Sequence, residues 1–83
     1  MEPIWYVYIL QCADGTLYTG ITNDLDRRLK AHNAGTASKY TRVRRPVVMV
    51  YHEEIDTKGN ALHRELQIKS MSRQQKMDLL NNK

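Results

Sequence analysis

The chain alternates between β-type and helical patterns of apolar residues. Residues 4–11 and 16–22 are rich in β-branched and aromatic side chains and enclose the turn signal Asp14-Gly15, which predicts a β-hairpin. Residues 47–54 form another β-branched run and predict a third strand. Before and after this run, segments with cap residues and apolar positions at helical spacing indicate helices.

The length of the hairpin turn decides which side chains share a face of the sheet. With a three-residue loop that ends at Gly15 in the left-handed conformation, Gly20 pairs with Tyr8. Tyr18 and Tyr6 then lie on the same face as Tyr8 and Gly20. A two-residue Asp-Gly turn would shift the register by one residue and send Tyr18 to the opposite face. We therefore expect the longer loop if the tyrosines act together.

Three helices are predicted from caps and spacing. Their limits and caps are residues 24–33 with Asn23 as N-cap, residues 58–70 with Thr57 as N-cap, and a last helix opened by the capping-box residues Ser72 and Gln75. Gly35 is a stop signal for the first helix, and residues 35–46 predict a long basic loop. The order ββαβαα predicts an α+β domain, a small three-stranded antiparallel sheet flanked by three helices, in one unit over residues 1–83.

The first predicted helix carries polar side chains on its apolar stripe. Leu25 and Leu29 are four residues apart, and Arg28 and His32 follow Leu25 at the i+3 and i+7 positions. Arg28 can be an ordinary arginine whose stem lies along the leucines, and His32 can be an interior histidine with satisfied hydrogen bonds. Their shared face makes them candidates for a joint role.

The second predicted helix has a carboxylate in the same kind of place. Glu65 lies near the centre of an apolar stripe, bracketed by Leu62 and Leu66 and with Ala61 and Ile68 on either side of it. Burying a carboxylate is costly unless it is paired, hydrogen-bonded or bound to a cation. The plain alternative is an i,i+4 ion pair with Lys69, worth about 0.2 to 0.5 kcal/mol at a surface.

Composition narrows the class of protein. Apolar residues make up 41% of the 83 residues, and the longest apolar run is far shorter than a membrane span of about 18 residues. Cys12 is the only cysteine, so an internal disulfide and a multi-cysteine zinc site are both excluded. We expect a cytoplasmic protein that does not enter the membrane.

Charge indicates a polyanionic partner. The net charge is +4, and four cations fall within seven residues of the predicted loop, next to one tyrosine: Lys39, Tyr40, Arg42, Arg44 and Arg45. Such a cluster favours nucleic acid, although a solvated loop explains it equally well.

Together these side chains suit a phosphodiesterase. Arg28 can stabilise negative charge on phosphoryl oxygens, and Glu65 can hold Mg²⁺ or Mn²⁺ together with waters and a phosphate oxygen. The base that activates water can be a phenol, Tyr8 or Tyr18, or His32. Ionising a free tyrosine at pH 7 costs about 4 kcal/mol, whereas a histidine with a pKa near ~6.5 needs no such help.

The sequence resembles the GIY-YIG nuclease superfamily over nearly its whole length. In that comparison Tyr8 matches the tyrosine of the first triplet, and Tyr18 and Gly20 match the second triplet. The resemblance implies that Arg28 is the catalytic arginine, that Glu65 binds the metal, and that His32 fills a position occupied by His or Tyr. It also implies a three-stranded sheet flanked by helices. The similarity is greatest to small bacterial members that end soon after the catalytic core.

Several positions depart from the family pattern. The first triplet is Tyr-Val-Tyr, and Thr19 replaces the isoleucine of the second. Tyr40 stands where homing enzymes have a further histidine, and their late asparagine has no clear match in Asn81 or Asn82. The resemblance thus implies a DNA endonuclease of low sequence specificity with a role in repair or recombination. RNA remains an open alternative substrate. A protein partner is expected to supply further specificity.

Two other readings use the same residues. The domain can bind nucleic acid through its basic surface with negligible turnover, or its basic loop can contact an acidic protein. Under the first of these, loss of Arg42 and Arg44 would lower affinity and salt dependence, whereas Glu65→Gln would change little.

Overall fold

The computed structural model describes residues 4–81. Its elements, in chain order, are β1 (Trp5–Gln11), β2 (Leu17–Thr22), α1 (Leu25–Ala34), α2 (Lys39–Arg42), β3 (Val48–Ile55), α3 (Lys58–Lys69) and α4 (Arg73–Asn81). The strands form one antiparallel sheet in the order β2-β1-β3, so β1 is central and β2 is an edge strand. The α+β prediction is confirmed. None of the helices in this part of the chain is long and apolar enough to cross a membrane.

The hairpin has the register that the longer loop predicts. Tyr8 pairs with Gly20 and Leu10 with Tyr18. Gly15 adopts a left-handed conformation with a φ of 84°, and its N–H donates to the carbonyl of Cys12 at 2.9 Å. Because side chains alternate along a strand, Tyr8, Tyr18 and Gly20 share one face.

The helix caps agree with the sequence in three places out of four. Thr57 caps α3 by accepting the Asn60 N–H, the predicted capping box opens α4, and Gly35 ends α1 with a φ of 83°. The prediction of Asn23 as N-cap of α1 is wrong. The next residue, Asp24, has the extended backbone of a cap, and its carboxylate accepts the Arg27 N–H at 3.1 Å.

The predicted loop between α1 and β3 contains one helical element, so the prediction of an irregular segment is wrong in part. Ser38 caps the four-residue helix α2 by accepting the Thr41 N–H at 3.1 Å. A single turn shows no apolar periodicity, which is why the pattern did not indicate it. It matters because it places Thr41 in the interior.

The sheet has a different core on each face. On the α1 face, Tyr8, Leu10, Cys12 and Val47 are buried, and Leu25 and Leu29 of α1 pack against them with the other partly buried members Tyr18 and Met49. On the opposite face, Val7 and Ile9 pack against Ala61 and Ile68 of α3, with α4 completing the cluster. The site residues of α1 and α3 therefore approach the sheet from opposite sides.

Helix α3 is rotated relative to the predicted stripe. Leu62 and Leu66 are 44% and 66% exposed, so the prediction that they flank the buried face is wrong. The sheet-facing stripe consists of Ala61, Glu65 and Ile68, which are spaced i, i+4 and i+7. Small Ala61 lets the helix approach the sheet closely. Glu65 remains on the inner side, and its side chain is only 16% exposed.

Candidate active site

A chain of hydrogen bonds connects β1, α1 and α2 in the interior. The Tyr8 hydroxyl lies 2.8 Å from His32 Nε2, and His32 Nδ1 lies 2.8 Å from Thr41 Oγ1. The Thr41 hydroxyl in turn lies within hydrogen-bond distance of the carbonyl and hydroxyl of Ser38. Tyr8, His32 and Thr41 are fully buried. The sequence therefore placed Tyr8 and His32 together correctly, but it did not identify Thr41.

The hydrogen-bond donors in this network define one tautomer of His32. If Nδ1 carries the proton, it donates to Thr41, Thr41 donates to Ser38, and the Tyr8 hydroxyl donates to Nε2. The other tautomer would leave the buried Tyr8 proton without an acceptor, which is costly. Burial and the charge of Arg28 both lower the pKa of His32, to about 4, so the imidazole is neutral at pH 7.

Arg28 is the cation of the site. Its Nε donates to the Tyr8 hydroxyl over 3.4 Å, a long contact, and its side chain is half-buried. Residues 4–81 form three ion pairs, and Arg28 belongs to none of them. Burial raises the pKa of Tyr8 above its usual value, and the hydrogen bond and charge of Arg28 oppose this effect without cancelling it. Tyr8 is therefore a neutral phenol.

Gly20 provides the space in which the Tyr8 hydroxyl lies. A Cβ atom at position 20 would come within 2.5 Å of that hydroxyl and 2.7 Å of the adjoining ring carbon. The two residues are direct partners across the hairpin, and both are buried. The glycine of the second triplet thus holds the tyrosine of the first in position.

Glu65 approaches this network from α3. Its negative charge contributes to raising the pKa of Tyr8, so the two groups are coupled electrostatically. Its ion-pair partner is Lys69 at 3.3 Å, whose side chain is half exposed. No three His, Cys, Asp or Glu side chains within residues 4–81 converge on one metal position. Glu65 would hold Mg²⁺ with waters and substrate oxygens, a donor set that this ion accepts.

The predicted nucleic-acid-binding residues are partly used inside the protein. Arg44 pairs with Asp14 at 3.1 Å and lies over the Tyr40 ring at 3.8 Å from its centre, and the Tyr40 ring also stacks with Tyr18. Arg45 donates to backbone carbonyls of α2 and α1. Two of the predicted residues, Lys39 and Arg42, are exposed and belong to none of the ion pairs formed by residues 4–81.

Tyr18 is the more accessible phenol. It is half-buried, and its ring meets the His32 ring edge-on with centroids 5.2 Å apart. Of the five predicted catalytic residues, the structure brings Tyr8, Tyr18, Arg28 and His32 into direct contact with at least one other member. No hydrogen bond or ion pair within residues 4–81 connects Glu65 to the other four; its negative charge is the smallest of the influences that raise the pKa of Tyr8.

Comparisons with known proteins agree with this arrangement. The GIY-YIG catalytic domain model matches residues 4–78. The chain belongs to the GIY-YIG family. This is a family of nucleases, as the resemblance of the triplets indicated.

Several relatives of similar length match nearly the whole chain. A UPF0213 protein of Staphylococcus saprophyticus is 51% identical over 76 residues, which cover 92% of this chain and 93% of that protein. A UPF0213 protein of Staphylococcus aureus is 49% identical over 78 residues, covering 94% and 95%.

Two solution NMR structures share the fold. A UPF0213 protein of Bacillus halodurans is 44% identical with a TM-score of 0.63, and an E. faecalis protein is 39% identical with a TM-score of 0.65. Each comparison covers 96% of this chain and 85% of the other. This GIY-YIG chain thus shares both length and fold with small single-domain proteins.

Proposed function

We propose that this GIY-YIG protein is a divalent-metal-dependent endonuclease that hydrolyses DNA phosphodiester bonds. The main support is the state of Arg28. Among residues 4–81 it has no carboxylate partner; it is half-buried and contacts a phenol that is hydrogen-bonded to a neutral histidine. An uncompensated guanidinium in such a place is suited to bind a phosphate bidentately.

The proton path runs inward from the phosphate. In the proposed step, a water oxygen bonds to phosphorus while the bond from phosphorus to the leaving ester oxygen breaks. The water proton passes to the Tyr8 oxygen as the Tyr8 proton passes to His32 Nε2, and the leaving oxygen takes a proton from solvent. Because Tyr8 is buried, this path requires the substrate phosphate to draw Arg28 away from its long contact with the hydroxyl.

Relay to His32 avoids a free phenolate. Protonating a histidine of pKa about 4 at pH 7 costs about 4 kcal/mol, since each pKa unit corresponds to about 1.4 kcal/mol. The phosphate brings negative charge next to the imidazolium, which favours the charged form and reduces this cost. Ionising Tyr8 without transfer of its proton to His32 would cost more free energy, because burial already raises the pKa of Tyr8.

Glu65 is the proposed ligand of Mg²⁺ or Mn²⁺. When bound, the ion would neutralise charge on the phosphate and the leaving oxygen. Before substrate binds, Glu65 forms an ion pair with the half-exposed Lys69. Because such a pair contributes little stability, water and a metal ion can readily replace Lys69 as partners of the carboxylate. With one carboxylate in the set, metal and substrate should bind cooperatively.

The expected substrate is DNA, single-stranded or branched, cut with low sequence specificity in the cytoplasm, as in repair or recombination. The domain is too small to read a long duplex site by itself. Lys39 and Arg42 are the outer contacts we assign to the nucleic acid, with Tyr40, Arg44 and Arg45 shaping that surface from within. A protein partner would supply further specificity.

The test is cleavage of labelled single-stranded, flapped, branched and duplex DNAs with Mg²⁺ or Mn²⁺. Glu65→Gln should lower the metal-dependent rate by at least about 10²-fold, the scale of losing one group that stabilises transition-state charge. Glu54→Gln, an exposed glutamate of β3, is the matched control and should cleave normally. Equal rates for Glu65→Gln and the wild type would refute the proposed metal role.

Burial of Tyr8 and His32 favours a second candidate, a nucleic-acid-binding module without turnover. Under that reading the wild type binds the same DNAs with steep salt dependence and yields no product with either metal. The cleavage panel, combined with a binding measurement, separates the two functions.

A further inference from the structure

A cleft runs around the end of the edge strand β2 and joins the two faces of the sheet. It has a volume of about 320 Å³ and is lined by Trp5, Ile21, Thr22, Asn23, Arg28 and Lys58. Arg28 reaches it from α1, and Lys58 reaches it from the first turn of α3. The cleft therefore begins at the proposed phosphate-binding arginine and leads to the opposite face.

Lys58 and Glu65 lie on the same side of α3. They are seven residues apart, which is about two turns and about 10.5 Å along the helix axis. Ala61, between them, is buried against the sheet, so this stripe faces the side of the sheet opposite to α1. A phosphate near Lys58 would thus lie beyond, and not at, the proposed metal position.

The charges in the cleft are uncompensated and positive. Lys58 belongs to none of the ion pairs formed by residues 4–81, and its Nζ lies 5.5 Å from the centre of the half-buried Trp5 ring. A second cleft, of about 340 Å³, is also lined by Arg28, with Arg27 as a further cation and the carboxylate of Asp24 as an anion. That negative charge offsets one of its two cations, whereas no carboxylate lines the cleft of Arg28 and Lys58, so the second cleft is the poorer site for a phosphate.

The basic loop offers a weaker alternative. Arg44 is paired with Asp14 in the hairpin turn, at the opposite end of β2. Six residues of extended strand separate the two ends, a distance of about 17 Å. Arg44 is therefore too remote to hold the nucleotide next to a phosphate at Arg28.

We propose that the cleft between Arg28 and Lys58 binds the nucleotide adjacent to the scissile phosphate, with its base against the Trp5 ring and its own phosphate at Lys58. The base takes the place of the Lys58 ammonium over the ring, since base-on-indole stacking is the general mode of single-strand binding. This assignment rests on the proposed nuclease function for the position of the scissile phosphate.

Trp5 is the only tryptophan of the chain, so its fluorescence reports on this cleft alone. The experiment titrates the Glu65→Gln variant, whose slow cleavage under the proposal leaves the substrate intact during the measurement, with an oligothymidylate of about 10 nucleotides. Binding is followed in parallel by anisotropy of a labelled copy. Saturable quenching of Trp5 with the same midpoint as the anisotropy change is the expected result.

Lysine variants supply the matched comparison. Lys58→Ala should weaken binding about five- to tenfold and lower the salt slope by about 1, as for loss of one phosphate contact. Lys30→Ala, an exposed lysine of α1, should change neither. Anisotropy binding without quenching of Trp5, or a loss with Lys39→Ala but not Lys58→Ala, would overturn the assignment.

The outcomes keep the two proposals apart. If the wild type cleaves DNA while Trp5 stays unquenched, the nuclease function stands and the cleft assignment fails. If the oligonucleotide neither binds nor is cleaved, both fail. Quenching without cleavage by the wild type would retain the binding cleft and refute the endonuclease.

Discussion

Each face of the sheet carries a tyrosine and an arginine, but the two clusters differ in how their charges are balanced. On the α3 face, Arg64 donates to both carboxylate oxygens of Glu53 at 2.9 Å, and the Tyr51 hydroxyl donates to the same carboxylate. On the α1 face, the one hydrogen-bond partner of the Arg28 side chain within the described part of the chain is the neutral phenol of Tyr8, at 3.4 Å. The charges of the first cluster balance one another, whereas in the second cluster Arg28 has no ion-pair partner among residues 4–81.

The pKa shifts follow the same division. The hydrogen bonds of Arg64 lower the pKa of Glu53 and those of Glu53 raise the pKa of Arg64, so each ion stabilises the other. Burial, with help from Glu53, raises the pKa of Tyr51 to about 12. Near Arg28 the pKa of His32 falls to about 4 instead, because nothing there offsets burial and positive charge. The comparison indicates a structural ion pair on one face and a site prepared for an anion on the other.

The largest effect on stability is expected from Gly20→Ala, which disrupts the cluster of Tyr8, His32 and Arg28 on the α1 face. Its Cβ would overlap the buried Tyr8 hydroxyl, and overpacking of this kind costs about 3 kcal/mol. Gly59→Ala is the control, since a Cβ there meets nothing within 4 Å and alanine favours a helix. Urea unfolding of both variants measures the difference. A Gly20→Ala protein as stable as the wild type would show that Tyr8 is not held as described.

A smaller effect should follow from acid. His32 has a pKa of about 4 when folded and ~6.5 when unfolded, so between these values the unfolded chain binds more protons and stability falls as pH falls. Among residues 4–81, the groups that contact the ring or act on it are Tyr8, Tyr18 and Arg28, and no carboxylate is among them.

The expected loss from this histidine between pH 7 and pH 5 is about 2 kcal/mol. Thermal unfolding of the wild type and His32→Gln across this range measures it, with exposed His63→Gln as the control. The slope should flatten only in His32→Gln. A slope that persists in that variant would assign the acid sensitivity to other groups.

The smallest effect is expected from a change at Thr41, in the hydrogen-bond network that also contains Tyr8 and His32. Under the proposed mechanism Thr41 is a positioning residue, because its hydroxyl oxygen accepts a hydrogen bond from His32 Nδ1–H and so presents Nε2 to Tyr8. Thr41→Val should lower the cleavage rate about tenfold, the scale of one lost neutral hydrogen bond. It should also move the ¹⁵N resonances of the His32 ring, which read the tautomer directly. Thr41→Ser should restore both, and a valine variant with unchanged resonances would argue against this role.

Much of the fold could be predicted because local signals and period-two alternation agree. Gly15 fixes the hairpin loop, and the loop fixes which tyrosines share a face with Gly20. The spacing of Arg28 and His32 in α1 similarly placed them on the side that packs against the sheet.

The remaining features depend on tertiary contacts. Thr41 lies in a single helical turn whose sequence resembles a basic loop, and only the packing of α2 against α1 brings it to His32. In α3 two stripes compete, and the sheet selects the one with the small Ala61 over the one with Leu62. Sequence spacing could not rank them, because close approach to the sheet is a property of the assembled layers.

Cleavage and unfolding measured together in Arg28→Ala and Arg64→Ala distinguish an anion-binding arginine from a structural one. We expect Arg28→Ala to lower metal-dependent DNA cleavage by about 10² to 10³-fold and to cost about 1 kcal/mol or less in stability. Arg64→Ala should cleave normally and lose about 2 kcal/mol of stability, since it leaves the partly buried Glu53 carboxylate without its cation. If Arg28→Ala instead destabilised the fold and cleaved as fast as the wild type, Arg28 would be a structural residue and not the phosphate-binding group.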